Sequence, residues 1–321
     1  MIHENINRIK GGILGVIVGD ALGLPVQFLT REEILKKPVT GMRGYGTFNY
    51  PMGTWSDDGS LTLCTVVSLS LAGYNLRDMS ERFLKWFDSG YLTPYEEAFD
   101  IGRTTAEAMV QLKQGVQPLE AGPKDEHSNG NGSLMRILPA ALYSSELPDE
   151  EFIRKLTEIS RVTHGHPRSQ LGCALYGLLV KALLEGESPV RAYKILKEKS
   201  LTVFKGTPLE KEMKAYQRIL DGSLIALPEE KIVSSGYVVD TLEASIWCLL
   251  QAVSLKETLL KAVNLGEDTD TIGAVTGGLA GLYYGYTDIP TEWLNELIKK
   301  DQILEQIDRF VKVCSKKEQR F

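Results

Sequence analysis

Soft metal ligands are scarce in this sequence, which holds four histidines and four cysteines among 321 residues. Cys64, Cys173, Cys248 and Cys314 stand far apart in apolar stretches, with no C-x-x-C spacing. That pattern excludes a zinc-ribbon framework and reads as reduced core thiols rather than a disulfide set. Basic residues are in deficit, 36 Lys and Arg against 42 Asp and Glu, for a net charge of −6. Sequence-independent binding to nucleic acid or to anionic lipid needs basic patches, so neither is an expected partner, whereas a nucleotide-sized ligand is compatible with this balance. No basic segment precedes an apolar one in the order of a signal peptide, and the apolar run 11–19 is well short of the ~20 residues of a membrane span. The expected location is the cytoplasm. Strictly alternating, strand-type patterning is scarce, and so are Pro/Ser-rich or charged linkers. One domain over residues 1–321 is therefore expected, although chains of this length often split.

What the sequence does hold is helical periodicity. Hydrophobic residues make up 43% of the chain and charged residues 24%, the usage of a soluble globular protein. Apolar positions recur at helical spacing over 61–71, 152–160, 171–184, 242–253 and 293–313, which predicts an all-α fold. Two long irregular stretches interrupt it, 38–55 and 121–133, each followed by a candidate helix start. Loops of that length inside a compact domain are commonly functional. Two glycine stripes stand out: Gly11, Gly15, Gly19 and Gly23, then Gly273, Gly277, Gly281 and Gly285. A helical glycine costs about 1 kcal/mol relative to alanine, so each stripe implies close backbone approach, and the two helices are expected to be central.

Acids cluster at two helix starts. Ser56-Asp57-Asp58 follows the loop Gly53-Thr54-Trp55, and Asp268-Thr269-Asp270-Thr271 opens the second glycine-striped segment. Capping explains one such residue per helix. Two acids and a hydroxyl at each start exceed that need, and four converging carboxylates would require cations. Oxygen ligands without His or Cys are hard, so two Mg²⁺ or Mn²⁺ ions fit better than zinc or copper.

The ordered motifs Gly19-Asp20-Ala21-Leu22-Gly23, Gly53-Thr54-Trp55-Ser56-Asp57-Asp58, Phe99-Asp100-Ile101-Gly102, Asn129-Gly130-Asn131-Gly132-Ser133-Leu134-Met135-Arg136, Thr163-His164 and Gly266-Glu267-Asp268-Thr269-Asp270-Thr271 resemble those of the ADP-ribosylglycohydrolase family, over residues 10 to 285. The resemblance implies an all-helical fold with a dinuclear cleft. Ser56, Asp57 and Asp58 would hold one ion, Asp268 and Thr271 the other, and Asp270 would bridge. Asp57 and Asp270 would thereby serve catalysis, with Asp100 as acid or base beside the reacting sugar. Ser56 stands where the family often has Thr, a mild change because both offer a hydroxyl.

The segment from Asn129 to Arg136 has the composition either of an anion cradle or of a plain Gly/Asn turn. The resemblance makes it a pyrophosphate loop, with Asn131, Gly132, Ser133, Leu134 and Met135 at the substrate and His164 near the diphosphate or a ribose. Tyr237 is an adenine-stacking candidate, although an aromatic before a helix is more often core. Gln27 stands where many members carry Glu, and it is expected to reach the site with one charge fewer. The activity implied is hydrolysis of the bond between ADP-ribose and a protein or small-molecule acceptor. The alternatives are a dinuclear phosphohydrolase, which would release AMP, and a non-catalytic ADP-ribose binder. The acceptor and the oligomeric state are left open.

Overall fold

The computed structural model describes residues 2–318, and among these it contains sixteen α-helices, five short 3-10 helices and no strand. The only β-type pairing among the described residues is an isolated antiparallel bridge between Gly130 and Tyr237. The expected all-α fold is what forms. Two antiparallel helices make the axis, Ile2–Gly23 and Thr269–Tyr284, and their glycine stripes face each other. A Cβ added at Gly15 would stand 2.0 Å from the Gly277 carbonyl oxygen, and one at Gly19 2.0 Å from that of Gly273. No side chain larger than hydrogen fits this seam. The last glycine of the second stripe behaves differently: Gly285, with φ at 91°, terminates the helix instead of extending it.

Helices Pro167–Leu184, Val238–Gln251 and Leu255–Val263 pack around the Thr269–Tyr284 helix, and Asp57–Ala72 packs on Ile2–Gly23. The first helix corrects an expectation, because the segment Glu4–Val26 is long and apolar enough by composition to cross a membrane, with a mean hydropathy of 1.6. Burial of 89% of that apolar window inside the protein identifies it as the core helix.

A second correction concerns 293–313, expected as one helix. It divides into Thr291–Glu296 and Lys300–Glu318. At the break the Ile298 amide donates to the Gly53 carbonyl at 3.0 Å, and the Ile298 carbonyl accepts from Trp55 Nε1 at 2.9 Å. The helix is interrupted to pin the loop that leads into Ser56.

Candidate metal centre and substrate cavity

The seam between the two glycine helices aims its end residues at one place. Gly23 closes the first helix and accepts a hydrogen bond from Thr269 Oγ1 at 2.8 Å, which sets Asp270 beside Asp20. The third contributor starts at Ser56, the N-cap of helix Asp57–Ala72, whose hydroxyl accepts from the Asp58 amide. Asp20 fixes that helix from across the interface: its carboxylate accepts from the Ser56 amide at 2.9 and 3.0 Å and from the Gly59 amide at 2.8 Å. Carboxylate oxygens of Asp20, Asp58 and Asp270 then lie within 4.8 Å of one another, all buried.

Capping does not account for these acids. Asp268 occupies the N-cap position of its helix without making a cap bond. Its carboxylate accepts instead from Asn131 Nδ2 at 2.6 Å and from Gln27 Nε2 at 3.5 Å. Thr271 Oγ1 reaches Asp58 at 3.3 Å, as Ser56 Oγ does at 3.2 Å. One oxygen each of Asp58 and Asp270 is buried with no hydrogen-bond partner. A buried carboxylate oxygen without a donor is costly, and a hard cation is the group that would satisfy both.

Six aspartates gather here: Asp20, Asp57, Asp58, Asp100, Asp268 and Asp270. Burial, then their mutual repulsion, pushes Asp57, Asp58 and Asp270 far above the ordinary carboxylate range. Burial likewise raises Asp20 to about 7, against the lowering pull of its backbone donors, and raises Asp100 and Asp268. Desolvation penalises the charged form and like charges add to it.

Above the acids opens a cavity of about 330 Å³, lined among others by Gln27, Asp57, Asp100, Asn131, Asp268 and Thr271. Asp100 lies within hydrogen-bonding reach of Asp270 and Gln27. It does not open the next helix: it adopts φ of 58°, and helix Arg103–Lys113 starts after Gly102. A left-handed non-glycine backbone is uncommon and strained, and here it turns the carboxyl into the cavity. Phe28, 61% exposed and with φ of 66°, also lines the cavity.

The glycine segment forms one wall. Gly130, Asn131, Gly132 and Met135 line the cavity together with His164. Ser133 and Leu134 do not: the Ser133 hydroxyl faces Ser160 and Cys173, at 2.9 and 3.5 Å, and Leu134 packs in the core. Tyr237 sits behind the wall, bridged to Gly130 through its backbone, with its hydroxyl 3.2 Å from Arg168. His166 caps helix Pro167–Leu184 and takes no part in the acid cluster. Asp20 is the residue that sequence reasoning left without a role, although it is the only charge in the apolar stretch 11–26.

The sequence pattern of the ADP-ribosylglycohydrolase family matches residues 1–320. The chain is 31% identical to the ADP-ribosylarginine hydrolase Tri1 of Serratia proteamaculans, across 94% of this chain and 78% of that protein. It is also 31% identical to the ADP-ribosyl-[dinitrogen reductase] glycohydrolase of Rhodospirillum rubrum, across 96% and 95%. A solved structure described as an ADP-ribosylglycohydrolase-related protein complex superposes with a TM-score of 0.82 at 30% identity, covering 97% of this chain and 99% of the other. With a whole-chain match, a shared fold and a buried aspartate cluster beside a cavity, the chain belongs to the ADP-ribosylglycohydrolase family, hydrolases that cleave the glycosidic bond of ADP-ribose adducts.

Proposed function

We propose that the protein releases ADP-ribose from a modified protein side chain, with an arginine guanidine as the acceptor. The acceptor rests on the named activity of the Serratia relative, and the reaction class on family membership. Ser56, Asp57 and Asp58 would hold one divalent ion, Mg²⁺ or Mn²⁺, and Asp268 and Thr271 a second, with Asp270 serving both. The observation that carries this reading is the pair of orphaned oxygens on Asp58 and Asp270 within a cluster of buried acids. When bound, such ions supply Lewis acidity and orient ribose hydroxyls and water.

The chain's own residues do the rest. Gly130 and Gly132 give the diphosphate a wall without side-chain bulk, and Asn131 and His164 add polar edges. Tyr237 backs this wall toward the adenine. Asp100, its carboxyl raised by burial, stands at the edge of the cavity as the proton donor. As water adds to the anomeric carbon and the bond to the acceptor nitrogen breaks, Asp100 delivers a proton to the departing nitrogen. Water supplies the hydroxyl of free ADP-ribose, and its proton restores the acid. The four cysteines are buried and form no disulfide among the described residues, which supports a cytoplasmic location.

The test is a panel of defined ADP-ribosylated substrates, incubated with and without Mg²⁺ or Mn²⁺, with products resolved by mass. Intact ADP-ribose that requires metal is expected, and ADP-ribose itself should inhibit. AMP as the primary product transfers the protein to pyrophosphate hydrolysis.

A further inference from the structure

Behind the glycine wall lies a buried cation that the proposed reaction does not use. Arg136 is fully buried and meets no carboxylate among the described residues. Its Nη2 donates to Thr163 Oγ1 at 2.7 Å and to the Ile159 carbonyl at 3.3 Å, its Nε and Nη1 have no partner, and the Phe83 ring lies 4.5 Å away. A structural arginine in so dry a place is expensive. What it does to its neighbours is specific.

We propose that Arg136 and Thr163 lock His164 in the tautomer bearing its hydrogen on Nε2, a permanent donor to an oxygen of the ligand in the cavity. A guanidinium only donates, so Thr163 Oγ1 must accept from Arg136. Thr163 is fully buried, and its other side-chain partner is His164 Nδ1 at 2.9 Å. If Nδ1 carried the hydrogen, the hydroxyl would accept twice and its own hydrogen would have no partner among the described residues. Buried polar hydrogens are rarely left so. The hydroxyl therefore donates to Nδ1, and the ring hydrogen sits on Nε2. That edge faces the cavity between two glycines. A Cβ at Gly132 would stand 2.9 Å from His164 Cε1, too close to fit, and one at Gly130 would sit in contact with Nε2 at 3.6 Å, so the two glycines leave that edge open to a ligand oxygen. Burial and the nearby guanidinium also hold the imidazole neutral, pushing its pKa down to about 3. Arg136 and Thr163 are positioning residues, acting on the ligand only through His164.

The identity of the accepting oxygen rests on the proposed ADP-ribose reading, whereas the tautomer does not. The intact protein, labelled with ¹⁵N-histidine and free of substrate, gives long-range ¹H–¹⁵N spectra that distinguish the two ring nitrogens, with His164 assigned by comparison with His164→Gln. A protonated Nε2 and an unprotonated Nδ1 are expected, and the reverse pattern overturns the lock. Thr163→Val should admit the other tautomer and weaken ADP-ribose binding about tenfold, the loss of one hydrogen bond to a charged acceptor, with Thr163→Ser restoring both. A Thr163→Val protein that keeps Nε2 protonated refutes the relay. A shifted tautomer with unchanged ADP-ribose affinity refutes the donor role. Failure of wild-type protein to bind ADP-ribose refutes the reading of the cavity, and the spectrum still decides the tautomer.

Discussion

Gln27→Glu would place a seventh carboxyl among six. The native amide donates to Asp268 Oδ1 at 3.5 Å and lies within reach of Asp100. A carboxylate in its place loses a hydrogen bond to a charged acceptor, worth about 1.5–3 kcal/mol. It also adds a like-charge pair worth about 4 kcal/mol at 4 Å in an effective dielectric of about 20. Protonation relieves both, because a neutral carboxyl can donate where the amide did. The folded-state pKa of the new group is therefore raised above its unfolded value of ~4.3. Relative to the wild type, the variant is nearly neutral below that value and loses stability as pH rises through the folded pKa. In EDTA at pH 8 a deficit of about 4 kcal/mol corresponds to roughly 8 °C in thermal midpoint for a domain of this size, while at pH 5 the two midpoints should lie close together. A divalent cation reverses the order: one more anionic ligand should tighten Mg²⁺ or Mn²⁺ by tenfold or more. Thermal melts over pH 5–8, with EDTA or with metal, together with titration calorimetry, check this. Equal midpoints for both proteins in EDTA at pH 8, with equal metal affinities, would show that Gln27 does not face the charge cluster.

Asp270→Ala should abolish metal binding, whereas Ser56→Ala should weaken it only about tenfold, because an aspartate with an unpartnered buried oxygen is lost in one case and a neutral ligand in the other; equal losses by calorimetry would remove Asp270 from its bridging place. Metal-free wild-type protein should itself lose stability between pH 4 and 8. Asp20, raised from 3.8 to about 7, contributes stability that is present below the lower value and lost as pH rises through the upper one. Saturating metal should flatten that slope, and a melt series with and without EDTA measures it. Gly277→Ala should cost at least about 3 kcal/mol or prevent folding, since its Cβ would stand 2.0 Å from the Gly15 carbonyl oxygen; a denaturation midpoint unchanged from wild type would contradict the close seam.

Periodicity made the helices legible, and the glycine stripes made the central pair legible, because both are local patterns with a direct geometric meaning. The break at 297–299 was hidden because its cause is the loop 53–55, more than 240 residues away along the chain. Asp20 was hidden for a related reason. Its partners are backbone amides at Ser56 and Gly59, which leave no compositional trace. The acids at 57–58 and 268–270 announced themselves by exceeding what capping needs. The resemblance of the 129–136 segment put Ser133 and Leu134 at the substrate together with the glycines, and their side chains turn into the core.

The glycine seam also sets when the site can exist. Gly23 and Thr269, joined by a hydrogen bond, are 246 residues apart, and closing a flexible loop of that length costs about 5 kcal/mol in chain entropy before any contact rewards it. On a ribosome, the segment from Asp20 to Asp58 emerges long before its counterpart at Asp268–Thr271. During that interval the first helix, apolar enough to enter a bilayer, has no matching groove. A nascent-chain arrest series should show protease protection of residues 11–23 and metal binding appearing in the same step, once residue 285 has cleared the exit tunnel.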